Sequence, residues 1–210
     1  MRFGCAAAAG VLVASGCSGS KVKGAIDGIP IDVGSAFFFA ETDVLAEDDL
    51  VTVVMSDLKD ACQDYGYYLE STKDMAGADD FASAWAAVFP ADFWEIAVIL
   101  RVGDSEVPLD GAQLVGIDWD ETLDERSHGF ASLVHNRALR DAAYFDGSGP
   151  TSDYLDSYVS RGGRIEIAKH IPGSSLRGEF GTEIVDRDEG ETKGIVQMKF
   201  NAVFCNVDIL

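Results

Sequence analysis

The sequence predicts a mainly β domain, an antiparallel β-sandwich or flattened barrel of about seven to nine strands with one short helix. Three observations carry this. Several stretches alternate apolar and polar residues; in the clearest, Trp94, Ile96, Val98, Leu100 and Val102 share one parity. Turn-forming pairs such as Asp27-Gly28 and Pro172-Gly173 punctuate them. A single stretch, with Phe81, Ala84, Trp85 and Val88, has helical spacing. Of the two β architectures, the sandwich is the preferred expectation.

Taken in order, residues 21–26 alternate with Val22, Gly24 and Ile26 on one side. Asp27-Gly28 suits a tight hairpin turn, since type I′ turns need positive φ at both central residues. Residues 29–33 return as its second strand. The apolar run continues through Phe37, Phe38 and Phe39, and an acidic connection follows at 41–49. Residues 51–58 read as a buried strand. Cys62 is placed in a loop, ahead of Tyr65, Tyr67 and Tyr68. Asp79 or Asp80 can cap the helix, which Pro90 stops.

Residues 93–102 form a strand and 129–136 a weaker one. Residues 154–159 fit either a strand or a helix. Residues 164–171, 175–184 and 192–204 make a meander, with Pro172-Gly173 at the centre of a type II turn. Leu176, Gly178, Phe180 and Ile184 share one side of the second strand. Val196, Met198, Phe200, Ala202 and Phe204 share one side of the third.

Charge narrows the function classes. The chain carries a formal −20. Such a surface repels nucleic acid and anionic lipid head groups, and no basic run interrupts it. The acids are scattered among apolar strands, so they do not describe a disordered tail. Solubility is the plain explanation. No Gly-rich phosphate loop is present, and no cofactor is expected.

The N-terminus carries the most specific motif. Arg2 precedes a short apolar run of small residues at 6–14, which has the make-up of a secretory signal. It is too short to span a bilayer as a helix, which takes about 20 residues. The run ends in Val13-Ala14-Ser15-Gly16-Cys17. This resembles the bacterial lipobox, although Ala14 stands where Leu, Val or Ile is usual. The resemblance implies cleavage before Cys17 and acylation of that residue on its sulfur and new amine. It divides the chain into a signal peptide at 1–16, a lipidated tether at 17–20 and one domain at 21–210. It implies a cell-envelope lipoprotein held at the membrane through its N-terminal lipid. Ser18, in place of Asp, resembles the default outer-membrane address.

The strand holding Gly178-Glu179-Phe180, the acidic turn and the long strand ending in Phe204-Cys205 are similar to uncharacterised envelope lipoproteins. That similarity implies no activity.

Four cysteines occur. Cys5 would leave with the signal and Cys17 would take the lipid. Cys62 and Cys205 remain, and an oxidising compartment would pair them. Neither has a second ligand at zinc spacing.

No catalytic set and no metal site is assigned. Ser127 or Ser132, His135 and Asp141 could be drawn as a triad, but no G-x-S-x-G elbow surrounds a serine. His128 and His135 are seven apart, on opposite faces of a strand. His135 and His170 follow apolar strand positions and read as strand-end residues. Asp118, Asp120 and Asp124 offer the oxygens Ca²⁺ takes, but acids are frequent here. The 186–190 turn fails the EF-hand spacing and contains Arg187. Tyr65, Tyr67, Tyr68, Trp85 and Trp94 are the candidate ligand pocket, since ring faces with polar tips suit stacking on a glycan. The partners expected are the membrane and an envelope protein or glycan. The alternatives to a structural or binding role are a ligand-binding β module for lipid, glycan or Ca²⁺, and a hydrolase.

Overall fold

The computed structural model describes residues 19–26, 28–43, 48–75, 78–89, 92–102, 104–115, 129–137, 155–186 and 189–206. Its strands are β1 (Lys21–Lys23), β2 (Ala25–Ile26), β3 (Ile29–Pro30), β4 (Ser35–Asp43), β5 (Asp48–Ser56), β6 (Asp92–Val102), β7 (Gln113–Val115), β8 (Gly129–Arg137), β9 (Leu155–Ile171), β10 (Ser175–Asp186) and β11 (Thr192–Phe204). Two helices, α1 (Ala61–Thr72) and α2 (Ala78–Val88), lie between β5 and β6. Residues 1–18, which include Cys17, residues 118–128 and Asp141 lie outside the described residues.

The mainly β expectation holds. The two-sheet antiparallel sandwich does not. Strands β4, β5, β6, β8, β9, β10 and β11 pair in that order, each antiparallel to the next. The last then meets the first in parallel, Val203 beside Phe37 and Phe204 beside Phe38. One mixed sheet thus curls back on itself. Strand twist drives the curl, and the closing pair covers part of two otherwise exposed edges. β1 lengthens the outer edge of β11, and β7 pairs with β9 beyond the end of β8. A hairpin forms at 25–30, with Gly28 at φ 77°, but it is shorter than expected: residues 21–23 pair with β11 instead, and 31–33 are not in a strand.

A single core fills the inside. It takes Phe38 from β4, Val51, Val53 and Met55 from β5, and the even-numbered face of β6. β9, β10 and β11 add Ile165, Ile167, Leu176, Phe180, Val196, Met198, Phe200 and Ala202. Each large apolar side chain buried this way contributes about 1.5–3 kcal/mol before entropy is counted. At Gly178 even a methyl group is excluded. A Cβ there would lie 2.5 Å from the Glu166 carbonyl oxygen and 2.6 Å from the Phe200 ring.

β9 joins two stretches that the sequence separates. Gly162 (φ 63°) and Gly163 (φ 139°) interrupt the apolar alternation, and the β9–β10 register shifts beside them. The strand bends through the glycines and continues, as bulges allow. The 171–174 turn closes as expected, with Ser174 N–H on the Ile171 carbonyl at 3.0 Å and Gly173 at φ 66°.

The helices cover the outside of β4–β6. This explains why every residue from Val51 to Ser56 is buried, on both parities. α2 matches the expected helix; α1 corrects the loop expected around Cys62. Its apolar residues Ala61, Tyr65, Tyr68 and Leu69 recur at three- and four-residue steps and face the sheet.

Candidate functional site

The two cysteines meet as expected. Cys62 on α1 and Cys205 just past β11 form a disulfide with Cα atoms 5.8 Å apart. It ties the helical layer to the strand that closes the sheet.

The aromatic residues do not form a stacking pocket. α1 turns Tyr65 and Tyr68 inward, where they pack with Trp85, Phe89 and Phe93 into a filled cluster. Ring centroids lie 5.1 Å apart for Tyr68–Trp85 and 4.3 Å for Trp85–Phe89. Tyr67, from the same helix, points to solvent and is 67 % exposed. Trp94 stands on the opposite face of β6, inside the sheet, 6.2 Å from Tyr158. Strand alternation separates Trp94 from its neighbour Phe93. The five residues therefore divide among a helix–sheet core, the sheet interior and the surface.

Beside that cluster the Tyr65 hydroxyl donates to the Glu95 carboxylate. Burial beneath α1 raises the carboxyl above its ordinary range, although the Tyr65 bond acts the other way. Burial, and then the nearby carboxylate, raise the phenol as well. The pair fastens the helix to β6 at a cost in desolvation. A raised carboxyl contributes most below its unfolded pKa, and its contribution is lost as pH rises through the folded value. Glu95→Gln keeps an acceptor for Tyr65 without the buried charge. At pH 7 it should raise the melting temperature by roughly 2–4 °C, about 1 kcal/mol at this chain length. At pH 4 the gain should vanish. Melts at the two pH values check this; a loss at pH 7 would refute it.

His170 is buried at the end of β9. Its Nδ1 accepts the Leu109 N–H at 3.3 Å, and its backbone N–H donates to the Asp110 carboxylate at 2.6 Å. Burial lowers its pKa, and a hydrogen bond with the Val107 backbone opposes that shift. The ring packs edge-on against Phe38 at 5.7 Å. These contacts pin the 104–112 loop, in keeping with the strand-end reading. His135 and Ser132 lie on β8, in register with Trp94 and Ala97. Ser127, His128, Asp141, Asp118, Asp120 and Asp124 lie outside the described residues. In the 186–190 turn the Asp186 carboxylate accepts the Glu189 N–H at 2.8 Å, so it caps the turn. Among the described residues no cluster of three or more His, Cys, Asp or Glu side chains could hold a metal.

The outer face of β1, β9, β10 and β11 carries a feature the sequence did not reveal. Two rungs cross these four strands. Lys21, Lys199, Glu179 and Glu166 form one; Lys23, Gln197, Gly181 and Arg164 form the next. They are two residues apart, so all project outward. Gly181 leaves the second rung without a side chain at its centre. The result is a shallow hollow of about 530 Å³ rimmed by Lys21, Lys23, Arg164 and Lys199. Lys199 bonds Glu179. Lys21, Lys23 and Arg164 form no ion pair among the described residues.

Compared with family models, curated proteins and solved structures, the chain matches none.

Proposed function

We propose that this chain is an envelope lipoprotein, held to a membrane by acylated Cys17, with a structural or binding role and no catalytic one. The observation that carries this reading is the Cys62–Cys205 bridge. If the leader removes Cys5 and the lipid takes Cys17, these are the thiols that remain, and bridges persist in oxidising compartments. The outer membrane is the proposed address, on Ser18. His170, held by loop backbone, gives no support to a hydrolase.

The test is the mass of the mature N-terminus. An acylated peptide beginning at Cys17 is expected, and Cys17→Ser should leave the precursor uncut. A mature chain starting elsewhere, or one without fatty acid, would overturn the reading.

A second reading, a ligand-binding module for lipid, glycan or Ca²⁺, draws support from the hollow around Gly181. A ligand of the native state raises the melting temperature by mass action, so titration with Ca²⁺ and a glycan panel separates the readings.

A further inference from the structure

We propose that the outer face of β1, β9, β10 and β11 docks on an anionic phospholipid surface and sets the orientation of the anchored domain. The inference rests on the lipid anchor proposed above and adds a second contact to it.

Charge is the first argument. These strands present Lys21, Lys23, Arg161, Arg164, Lys169, Arg177, Lys193 and Lys199, eight of the 16 basic residues in the chain. Against them stand Glu166, Glu179 and Glu183, with Asp110 reaching Lys169 at 2.5 Å and Glu189 and Glu191 beside Lys193. Eight cations and six carboxylates leave this face near +2, on a chain whose total is −20. The overall charge predicts repulsion from anionic lipid, yet fields are screened over about 8 Å at physiological salt. At contact the nearest face decides, and repulsion of the acidic remainder turns that face toward the lipid.

The path of the chain is the second argument. β1 itself supplies Lys21 and Lys23 to the face. Ser20 Oγ accepts the Asn201 N–H at 2.9 Å, which ties the tether to the edge of β11. Ser20 lies three positions after Cys17, a reach of about 10 Å. An acyl chain on Cys17 would therefore enter the bilayer beside this face.

The third argument is the apolar content of the face. Ile195 borders the hollow and is 70 % exposed, and Val203 on the same strand is 40 % exposed. Exposed apolar side chains among cations suit a headgroup interface, where the cations meet phosphates and the apolar groups reach the acyl boundary.

The test uses the full chain with Cys17→Ser, so that acylation contributes nothing. Its binding to vesicles of phosphatidylcholine is compared with binding to an equal mixture of phosphatidylcholine and phosphatidylglycerol. The same comparison is made after adding Lys21→Gln, Lys23→Gln and Arg164→Gln, three exposed changes whose fold is checked by melting. Any contribution of residues 1–16 is common to both proteins. The first protein should prefer the anionic vesicles, and added salt should erase the preference. The triple change should weaken anionic binding roughly a hundredfold, at about fivefold per cation, and leave neutral vesicles unaffected. Equal binding to both vesicles, or a preference that survives the triple change, would overturn the proposal. The mass of the mature N-terminus judges the anchor separately, so the two failures are distinguishable.

Discussion

Replacing Cys62 and Cys205 together by serine should lower stability by about 5 kcal/mol, the chain-entropy value for a loop of this size. The bridge closes 143 residues, most of the folded chain. At roughly 2–4 °C per kcal/mol for a chain of this length, the melting temperature should fall by about 10–20 °C. Reduction of the parent protein should reproduce the fall, and the double variant should ignore reductant. Two mechanisms act together. The unfolded chain regains the freedom that the bridge denies it. In the folded state, α1 loses its covalent tie to the end of β11, where Cys205 N–H also bonds the Phe38 carbonyl at 2.8 Å. Non-reducing peptide mapping should join Cys62 to Cys205 in the parent. Two free thiols, or a fall under about 1 kcal/mol, would remove the bridge as a main support.

The strands were legible because their apolar residues repeat with period two over long stretches. β6, β10 and β11 face as their alternation predicts, and Pro172-Gly173 turns as its residue types require. Ring closure was not legible, because alternation says which side is inward but not whether two strands share a sheet. The β4–β11 pair spans two residue pairs and 166 positions of sequence, from Phe37 to Val203, and no local pattern encodes it. α1 was missed for a different reason. Gly66 and three tyrosines weaken the local helical signal, and packing against Phe37, Phe89 and Phe93 outweighs it. Of the candidate site residues, the cysteines were readable by elimination. The aromatics were not, since Tyr65 and Tyr67 part company only once α1 exists. The basic face was invisible as well. Lys21, Arg164 and Lys199 lie far apart in an acidic chain and meet only through cross-strand register.

Phe38→Ala should cost about 3–5 kcal/mol, the range for removing a buried phenylalanine ring. Phe38 is 1 % exposed and sits where the sheet closes. It pairs with Val53 on β5 and with Phe204 on β11. Its ring meets Phe204 at 5.4 Å and His170 at 5.7 Å. Truncation leaves a cavity bounded by all three strands of the seam and by the pinned 104–112 loop. Because the parallel pair is so short, it has few other contacts to resist opening. Amide exchange should therefore rise first in β4 and the end of β11, with β6 slower to follow. An exposed control on β11, Ile195→Ala, should change stability by less than about 0.5 kcal/mol. The cysteine and Phe38 changes act on one seam, so their costs should not add. With the bridge absent the seam is already loosened, and the Phe38 truncation should cost less there than in the bridged protein. Strict additivity in a double-mutant cycle would mean that the closing pair and the disulfide hold separate parts of the fold, contrary to the shared bond from Cys205 to Phe38.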